Sequence, residues 1–112
     1  MRTKLTVAIA VLAVGAGLAH TALAATRSVE VGDYFFKAKS VTIDSGDKVR
    51  WRWKGEDDHN VVFTKKPRAA KKPKRCGTRS SGTCARTLKK KGTYRYVCKL
   101  HPDDMKGKIR VE

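Results

Sequence analysis

Histidine and methionine are scarce in this chain, and their scarcity limits the chemistry that it can perform. Its 112 residues include three histidines (His20, His59 and His101) and two methionines (Met1 and Met105). Too few imidazoles are present to build a second metal centre of the kind that a metal-dependent oxidase or reductase needs. No other catalytic constellation is evident, so the sequence favours a protein that is not an enzyme.

Acidic residues are also few. The chain has 10 of them against 26 lysines and arginines, which gives a formal net charge of +16 at pH 7. Such an excess suggests anionic partners or surfaces, although it could serve only to keep an exported protein in solution. Half of the acids flank two of the histidines, so we expect a locally acidic end there. These acids are Glu56, Asp57, Asp58, Asp103 and Asp104.

Long hydrophobic runs are absent except near the N-terminus. Residues 5–19 form an apolar run between the basic residues Arg2 and Lys4 and the small-residue segment 22–24. This order is typical of a secretory signal peptide, and the run is short for a membrane span, which needs about 20 residues. We therefore expect residues 1–24 to be removed. The mature domain, residues 25–112, would be a secreted or periplasmic monomer without a transmembrane span.

The cysteines are few and odd in number, at positions 76, 84 and 98. Disulfides form in exported proteins, and an odd count leaves one thiol unpaired. We expect Cys76 and Cys84 to pair across the short, flexible loop between them, which leaves Cys98 free. A pair that includes Cys98 is the alternative, because spacing alone does not determine connectivity.

Alternating apolar and polar residues predict short strands throughout the mature chain. Val49, Trp51 and Trp53 alternate with basic residues, as in a half-buried strand. In residues 93–100 the same alternation predicts that Tyr94, Tyr96, Cys98 and Leu100 face inward. No amphipathic helix and no repeat is evident, so we predict an all-β sandwich. Further strands are expected around residues 28–31, 41–43, 59–63, 85–88 and 107–111.

Residues 64–84 interrupt this pattern. Seven basic residues and two prolines, without any acid, lie between Lys65 and Arg75. Like charges and prolines argue against a buried strand or a stable helix. We therefore predict that residues 64–84 are a basic loop insertion, closed by the Cys76–Cys84 disulfide.

Soft metal ligands are concentrated near the C-terminus. Residues 98–105 contain a thiol, an imidazole and a thioether, and a second imidazole, His59, opens an upstream strand. Two histidines, one cysteine and a weakly bound methionine form the ligand set of redox-active copper. A site held by the fold would change little between Cu(II) and Cu(I), as a one-electron carrier requires. The predicted ligands are His59, Cys98, His101 and Met105, with zinc or no metal as alternatives.

Three motifs, residues 58–63, 92–102 and 105–111, resemble those of the small blue (type 1) copper proteins, in the plastocyanin and amicyanin branch of the cupredoxins. The resemblance covers about residues 28–112 except 64–84. It implies a Greek-key β-sandwich, one type 1 copper held by the same four ligands, and electron exchange with redox partner proteins. It also implies that Asn60 ties the two ligand loops together. The spacing between His101 and Met105 falls between those usual in plastocyanins and amicyanins.

Two other function classes remain as alternatives. An exported copper storage or delivery protein would favour exposed tracts rich in methionine and histidine, which this chain lacks. A cationic module for anionic polymers would use the basic segment 65–75 but leaves the four-ligand pattern unexplained. No nucleic-acid-binding motif is evident, so no nucleic acid partner is expected. We predict that segment 65–75 attracts an anionic partner or envelope surface while the His101 edge passes the electron.

Overall fold

The computed structural model describes residues 23–112, which form nine strands and no helix. The expected signal peptide lies outside the described residues, apart from Leu23 and Ala24. Residues 23–112 contain no helix that is long and apolar enough to cross a membrane. The strands are β1 (Thr26–Gly32), β2 (Phe35–Lys37), β3 (Ser40–Ile43), β4 (Lys48–Trp53), β5 (His59–Lys65), β6 (Cys76–Arg79), β7 (Thr83–Thr87), β8 (Gly92–Val97) and β9 (Lys106–Val111).

The strands form two sheets, which confirms the predicted all-β sandwich. One sheet has the order β2-β1-β4-β7 and the other has the order β3-β9-β8-β5-β6. β1 pairs with β4 in parallel and β3 pairs with β9 in parallel, while the other neighbours are antiparallel. In β4 the residues Val49, Trp51 and Trp53 are buried and alternate with exposed basic residues. Period-two burial of this kind follows from the pleat of a strand that faces a core on one side.

Aromatic side chains join the two sheets in the core. Trp51 of the first sheet meets Phe63 and Tyr96 of the second, with ring centroids 5.9 and 5.3 Å apart. Both pairs are nearly perpendicular, the edge-to-face geometry that aromatic quadrupoles favour. The Tyr96 ring lies directly over Gly107 of β9, where a Cβ atom would overlap the ring. The core is therefore tightly packed just below the connection between β8 and β9.

The expected Cys76–Cys84 disulfide is present, but its surroundings differ from the prediction. Residues 76–84 are not a flexible loop, because only residues 80–82 lie between β6 and β7. β6 pairs with β5 in one sheet and β7 pairs with β4 in the other. The disulfide therefore joins the edges of the two sheets, and only residues 66–75 of the predicted insertion lie outside strands and the short turn between β6 and β7.

Residues 66–75, which we call the basic arm, are attached to the body of the domain. The Arg86 side chain of β7 donates hydrogen bonds to the backbone carbonyls of Lys74 and Arg75, at 2.7 and 2.8 Å. Ala70 is buried, and its amide donates to the carbonyl of Pro67 at 3.0 Å. The arm therefore follows a defined path across the surface.

The predicted inward face of residues 93–100 is wrong at Leu100. Tyr94, Tyr96 and Cys98 are buried, whereas Leu100 is 49% exposed. β8 ends at Val97, and the amide of His101 donates to the carbonyl of Cys98 at 3.2 Å as the chain turns. Alternation between two faces holds only within a strand, so it fails beyond Cys98.

Candidate metal centre

The four predicted ligands belong to one end of the second sheet. β5 and β8 are antiparallel neighbours in which Val62 pairs with Val97. The start of β5 therefore lies beside the end of β8, and His59 comes next to the loop that begins at Cys98. The Cys98 Sγ atom is 3.9 Å from the Nδ1 atom of His59, and both residues are fully buried.

The loop between β8 and β9 is closed by its own backbone. The amide of Met105 donates to the carbonyl of His101 at 2.9 Å, and the amide of Cys98 donates to the carbonyl of Met105 at 3.0 Å. These bonds return Met105 to the side of Cys98, and the Met105 side chain is buried in the core. His101 is the one predicted ligand that is partly exposed.

A carboxylate that sequence reasoning missed holds the His59 ring. Asp33, in the turn after β1, has Oδ1 2.9 Å from the Nε2 atom of His59. The Asp33 carboxylate also accepts the backbone amides of Glu56 and Asp57, each at 3.0 Å. The amide of Glu56 and the His59 side chain are the main causes that lower the pKa of Asp33 to about 2. An ionised carboxylate only accepts, so Nε2 carries the proton and Nδ1 is left on the Cys98 side.

Tyr34 was also missed, and it lies against the partly exposed histidine. Its ring meets that of His101 edge-on, with centroids 4.8 Å apart, and its hydroxyl donates to Asp57 at 2.8 Å. This hydrogen bond to Asp57 raises the pKa of Tyr34. The backbone of Tyr34 has φ of 72°, which bulky residues rarely adopt and which tends to mark functional sites. Gly32 and Asp33 are residue types common in turns, a signal that could have indicated a chain reversal here but not its partners.

Asn60 connects three segments around the thiol. Its backbone amide points to the Cys98 Sγ atom at 3.5 Å, and its side-chain oxygen accepts the amide of Lys99 at 2.8 Å. Its side-chain nitrogen donates to the Thr78 hydroxyl of β6 at 3.1 Å. The buried Asn60 side chain therefore links β5, the loop after β8 and β6.

The acids that flank the histidines in sequence are all exposed. Residues 56–58 lie in the loop before β5, and Asp103 and Asp104 lie in the turn before β9. Lys99 and Lys106 are exposed beside them. The end that holds the predicted ligands therefore combines acidic loops with two lysines, whereas the basic arm begins beyond the far end of β5.

The donor set fits a soft ion, although its side chains do not form a ready cage. Within residues 23–112, no three histidine, cysteine, aspartate or glutamate side chains are close enough together to hold a metal ion without rearrangement. The His59 and His101 ring centroids are 5.4 Å apart, and the thiol is next to His59. A buried thiol, two imidazoles and a nearby thioether match copper better than a hard cation.

Comparison with known proteins points to one family. A model of copper-binding proteins, described as the plastocyanin/azurin family, matches residues 23–112. No curated protein sequence matches the chain significantly.

Three solved structures illustrate the similarity. A pseudoazurin from Sinorhizobium has 26% identity and a TM-score of 0.67, over 79% of this chain and 74% of that one. An amicyanin variant in a reduced Cu(I) form has 25% identity and a TM-score of 0.68, over 78% and 82%. A fern plastocyanin variant has 25% identity and a TM-score of 0.64, over 77% and 100%.

Proposed function

Because the chain belongs to the plastocyanin/azurin family of copper-binding proteins, we propose that one type 1 copper ion is held by His59, Cys98, His101 and Met105. Copper is the cofactor, and the chain acts as a type 1 copper electron carrier. The observation that supports the ligand assignment is the position of the buried Cys98 thiol. It lies 3.9 Å from the His59 Nδ1 atom, at the start of a loop that returns Met105 to its side.

The bound copper supplies the Cu(II)/Cu(I) change, and the chain supplies a rigid frame around it. Asp33 holds the His59 ring with Nδ1 directed to the thiol. The amide of Asn60 points to the Cys98 sulfur and places a positive dipole end beside it. Because these contacts belong to strands and closed turns, the ligands move little when the charge changes. A small rearrangement is what allows fast electron exchange.

The partly exposed histidine marks the edge through which we expect the electron to pass. His101 is covered on one side by Tyr34, and the neighbouring Leu100 is 49% exposed. Apolar and aromatic side chains around a redox group suit a brief contact with a partner protein. A redox partner is therefore proposed to dock at this end, next to the acidic loops.

Export and a monomeric, non-enzymatic role are part of the proposal. The Cys76–Cys84 disulfide suits an oxidising compartment such as the periplasm, in agreement with the predicted signal peptide. Both histidines of the described residues, His59 and His101, are used by the copper site. Residues 23–112 therefore offer no further imidazole for a second, catalytic metal.

A visible spectrum tests the assignment. Residues 25–112 loaded with Cu(II) should show an intense blue thiolate-to-copper band that disappears on reduction and returns on oxidation. The Cys98→Ser variant should lose the band. The Cys76→Ala/Cys84→Ala double variant is the matched control and should keep it, because these sulfurs are bonded to each other. A colourless wild-type protein, or a band that survives Cys98→Ser, would contradict the ligand assignment.

A further inference from the structure

A basic cleft lies at the end of the sandwich away from the copper ligands. It has a volume of about 460 Å³ and lies between the basic arm and the connection from β7 to β8. Its floor includes the buried residues Ala70, Leu88 and Tyr94. No acidic side chain lines it. We call it the lysine cleft, because five exposed lysines line it: Lys71, Lys72, Lys74, Lys89 and Lys90.

The lysine cleft has a fixed backbone and unpaired charges. The Arg86 guanidinium bonds the carbonyls of Lys74 and Arg75, and the Tyr94 hydroxyl donates to the carbonyl of Lys90 at 2.8 Å. In the part of the chain that the structure describes, the contact between His59 and Asp33 is the one place where a basic side chain and a carboxylate lie at ion-pair distance. None of the five ammonium groups therefore has a carboxylate partner there. A second, smaller basic hollow shares Lys72 and continues the surface to Lys65 and Lys66.

Two strands separate the lysine cleft from the copper end. β8 begins two residues after Lys90 and ends next to Cys98, and β5 runs from His59 to Lys65. Strands of this length span roughly 20–23 Å at ~3.3 Å per residue. A redox partner that docks at His101 would therefore not touch the lysine cleft. The cleft needs a different occupant.

The composition of the cleft favours a phosphate-rich surface over a protein or a nucleic acid. The large exposed apolar side chains of the described residues are Leu23, Tyr34, Phe35 and Leu100, and none lines the cleft. Protein interfaces rely on aromatic and apolar anchors, and single-stranded nucleic acids on stacking. Lysine provides a flexible point charge that suits headgroups held only by electrostatic attraction.

We propose that the lysine cleft binds the phosphate headgroups of an anionic phospholipid bilayer. This inference rests on the proposed function, because export brings the carrier to a membrane surface and the copper end must remain accessible. Binding through the cleft turns the His101 end away from the bilayer, toward a partner. Each lysine near an anionic surface is worth about 1 kcal/mol, which is about fivefold in affinity.

Vesicle binding tests the proposal. The copper-loaded protein, residues 25–112, is sedimented with phosphatidylcholine vesicles that contain roughly one third phosphatidylglycerol, and with pure phosphatidylcholine vesicles. We expect binding to the anionic vesicles alone, weakening as salt rises toward physiological ionic strength. Replacing Lys71, Lys72, Lys89 and Lys90 by Gln should reduce affinity more than a hundredfold, since about fivefold is lost at each position.

A variant of equal net charge serves as the control. Replacing four other exposed lysines by Gln should leave more than half of the binding; they are Lys37, Lys39, Lys54 and Lys106. Equal losses in the two variants would show a net-charge effect and overturn the proposal. It would also be overturned if the wild-type protein bound no vesicles, or if inorganic phosphate at matched ionic strength displaced it fully. Binding to an acidic protein without vesicle binding would reject it in favour of a protein partner.

The blue band, measured in the same samples, reports on the copper site independently of vesicle binding, so this inference and the proposed function can fail separately. A blue protein that does not bind vesicles contradicts only the bilayer proposal. A colourless protein that still binds vesicles through the lysine cleft contradicts only the copper ligand assignment.

Discussion

The imidazole of His59 donates from Nε2 to the carboxylate of Asp33, whose Oδ1 atom lies 2.9 Å away. The two residues are 26 positions apart in sequence. They meet because β1 and β4 are parallel and end side by side, with Val31 opposite Trp53. The turn after β1 thereby reaches the loop that leads into β5, and a carboxylate comes to support a proposed copper ligand.

The Asp33→Asn substitution should raise the reduction potential of the copper. The amide side chain is neutral, so the oxidised ion would lose a nearby negative charge that favours Cu(II) over Cu(I). The attraction between this carboxylate and the copper ion is worth about 1–2 kcal/mol at an effective dielectric constant near 20. For one electron, that corresponds to a potential shift on the order of 50 mV. A spectroelectrochemical titration of the blue band measures the shift.

Asp44→Asn is the matched control for that substitution. Asp44 is exposed in the turn between β3 and β4, at the other end of the sandwich from His59. Its charge should be screened from the copper, so the potential should change by less than about 10 mV. An equal potential in wild type and Asp33→Asn would mean that the carboxylate does not act on the metal.

The buried hydroxyl of Tyr96 predicts a loss of stability in alkali. Within residues 23–112 no group lies in hydrogen-bonding geometry with it, and burial, offset only in part by the neighbouring Trp51 side chain, raises the pKa of Tyr96 to about 12. An unfolded tyrosine has a pKa of about 10, so the folded protein holds this proton more tightly. The contribution of Tyr96 to the free energy of unfolding is therefore fully present below pH 10. It falls by about 2–3 kcal/mol as the pH rises toward 12.

The Tyr96→Phe variant isolates that effect. It should show no such loss, and near neutral pH it should match or exceed the wild type by about 1 kcal/mol, because no unpaired hydroxyl is buried. Urea unfolding of the metal-free proteins at pH 7 and pH 11 gives the comparison. The same alkaline loss in both proteins would assign it to other groups.

The Cys76–Cys84 disulfide should stabilise the domain by joining its sheets. A cross-link that closes a loop of this length restricts the unfolded chain by about 2–3 kcal/mol. The Cys76→Ala/Cys84→Ala variant should lose about that much in urea unfolding of the metal-free protein. Ser81→Ala, in the exposed turn between β6 and β7, should be neutral. A double variant as stable as the wild type would show that the sheets need no such link.

Local patterns predicted the strands well and supplied the proposed ligand set. The alternation of Val49, Trp51 and Trp53 corresponds to the buried face of β4, because burial with period two is a property of any strand on a core. The proposed ligands were chosen by residue type, since so few imidazoles and thioethers are present. The disulfide followed from close spacing in a chain that we predicted to be exported.

Long-range contacts escaped prediction. Asp33 is one of 10 acids, and its role depends on the parallel pairing of β1 with β4, which no local pattern indicates. The segment 76–84 contains glycines and serines and was expected to be a loop. It forms two strands because each finds a partner in a different sheet. Leu100 was expected inside because the alternation was extended beyond Val97. It lies outside because β8 ends there in a turn, which the amide of His101 closes by donating to the carbonyl of Cys98.

Two glycines in different strands of the second sheet, one in β9 and one in β6, should respond in opposite ways to an added methyl group. A Cβ atom on Gly107 would overlap the Cζ and Oη atoms of Tyr96, whereas one on Gly77 of β6 would meet nothing within 4 Å. Gly107→Ala must displace a ring that is held between the sheets, so it should destabilise the domain by about 1–3 kcal/mol. Gly77→Ala restricts the unfolded chain and should be neutral or stabilising by about 0.5 kcal/mol. Urea unfolding of both metal-free variants decides the matter, and equal stabilities would show that the Tyr96 ring can move aside without loss.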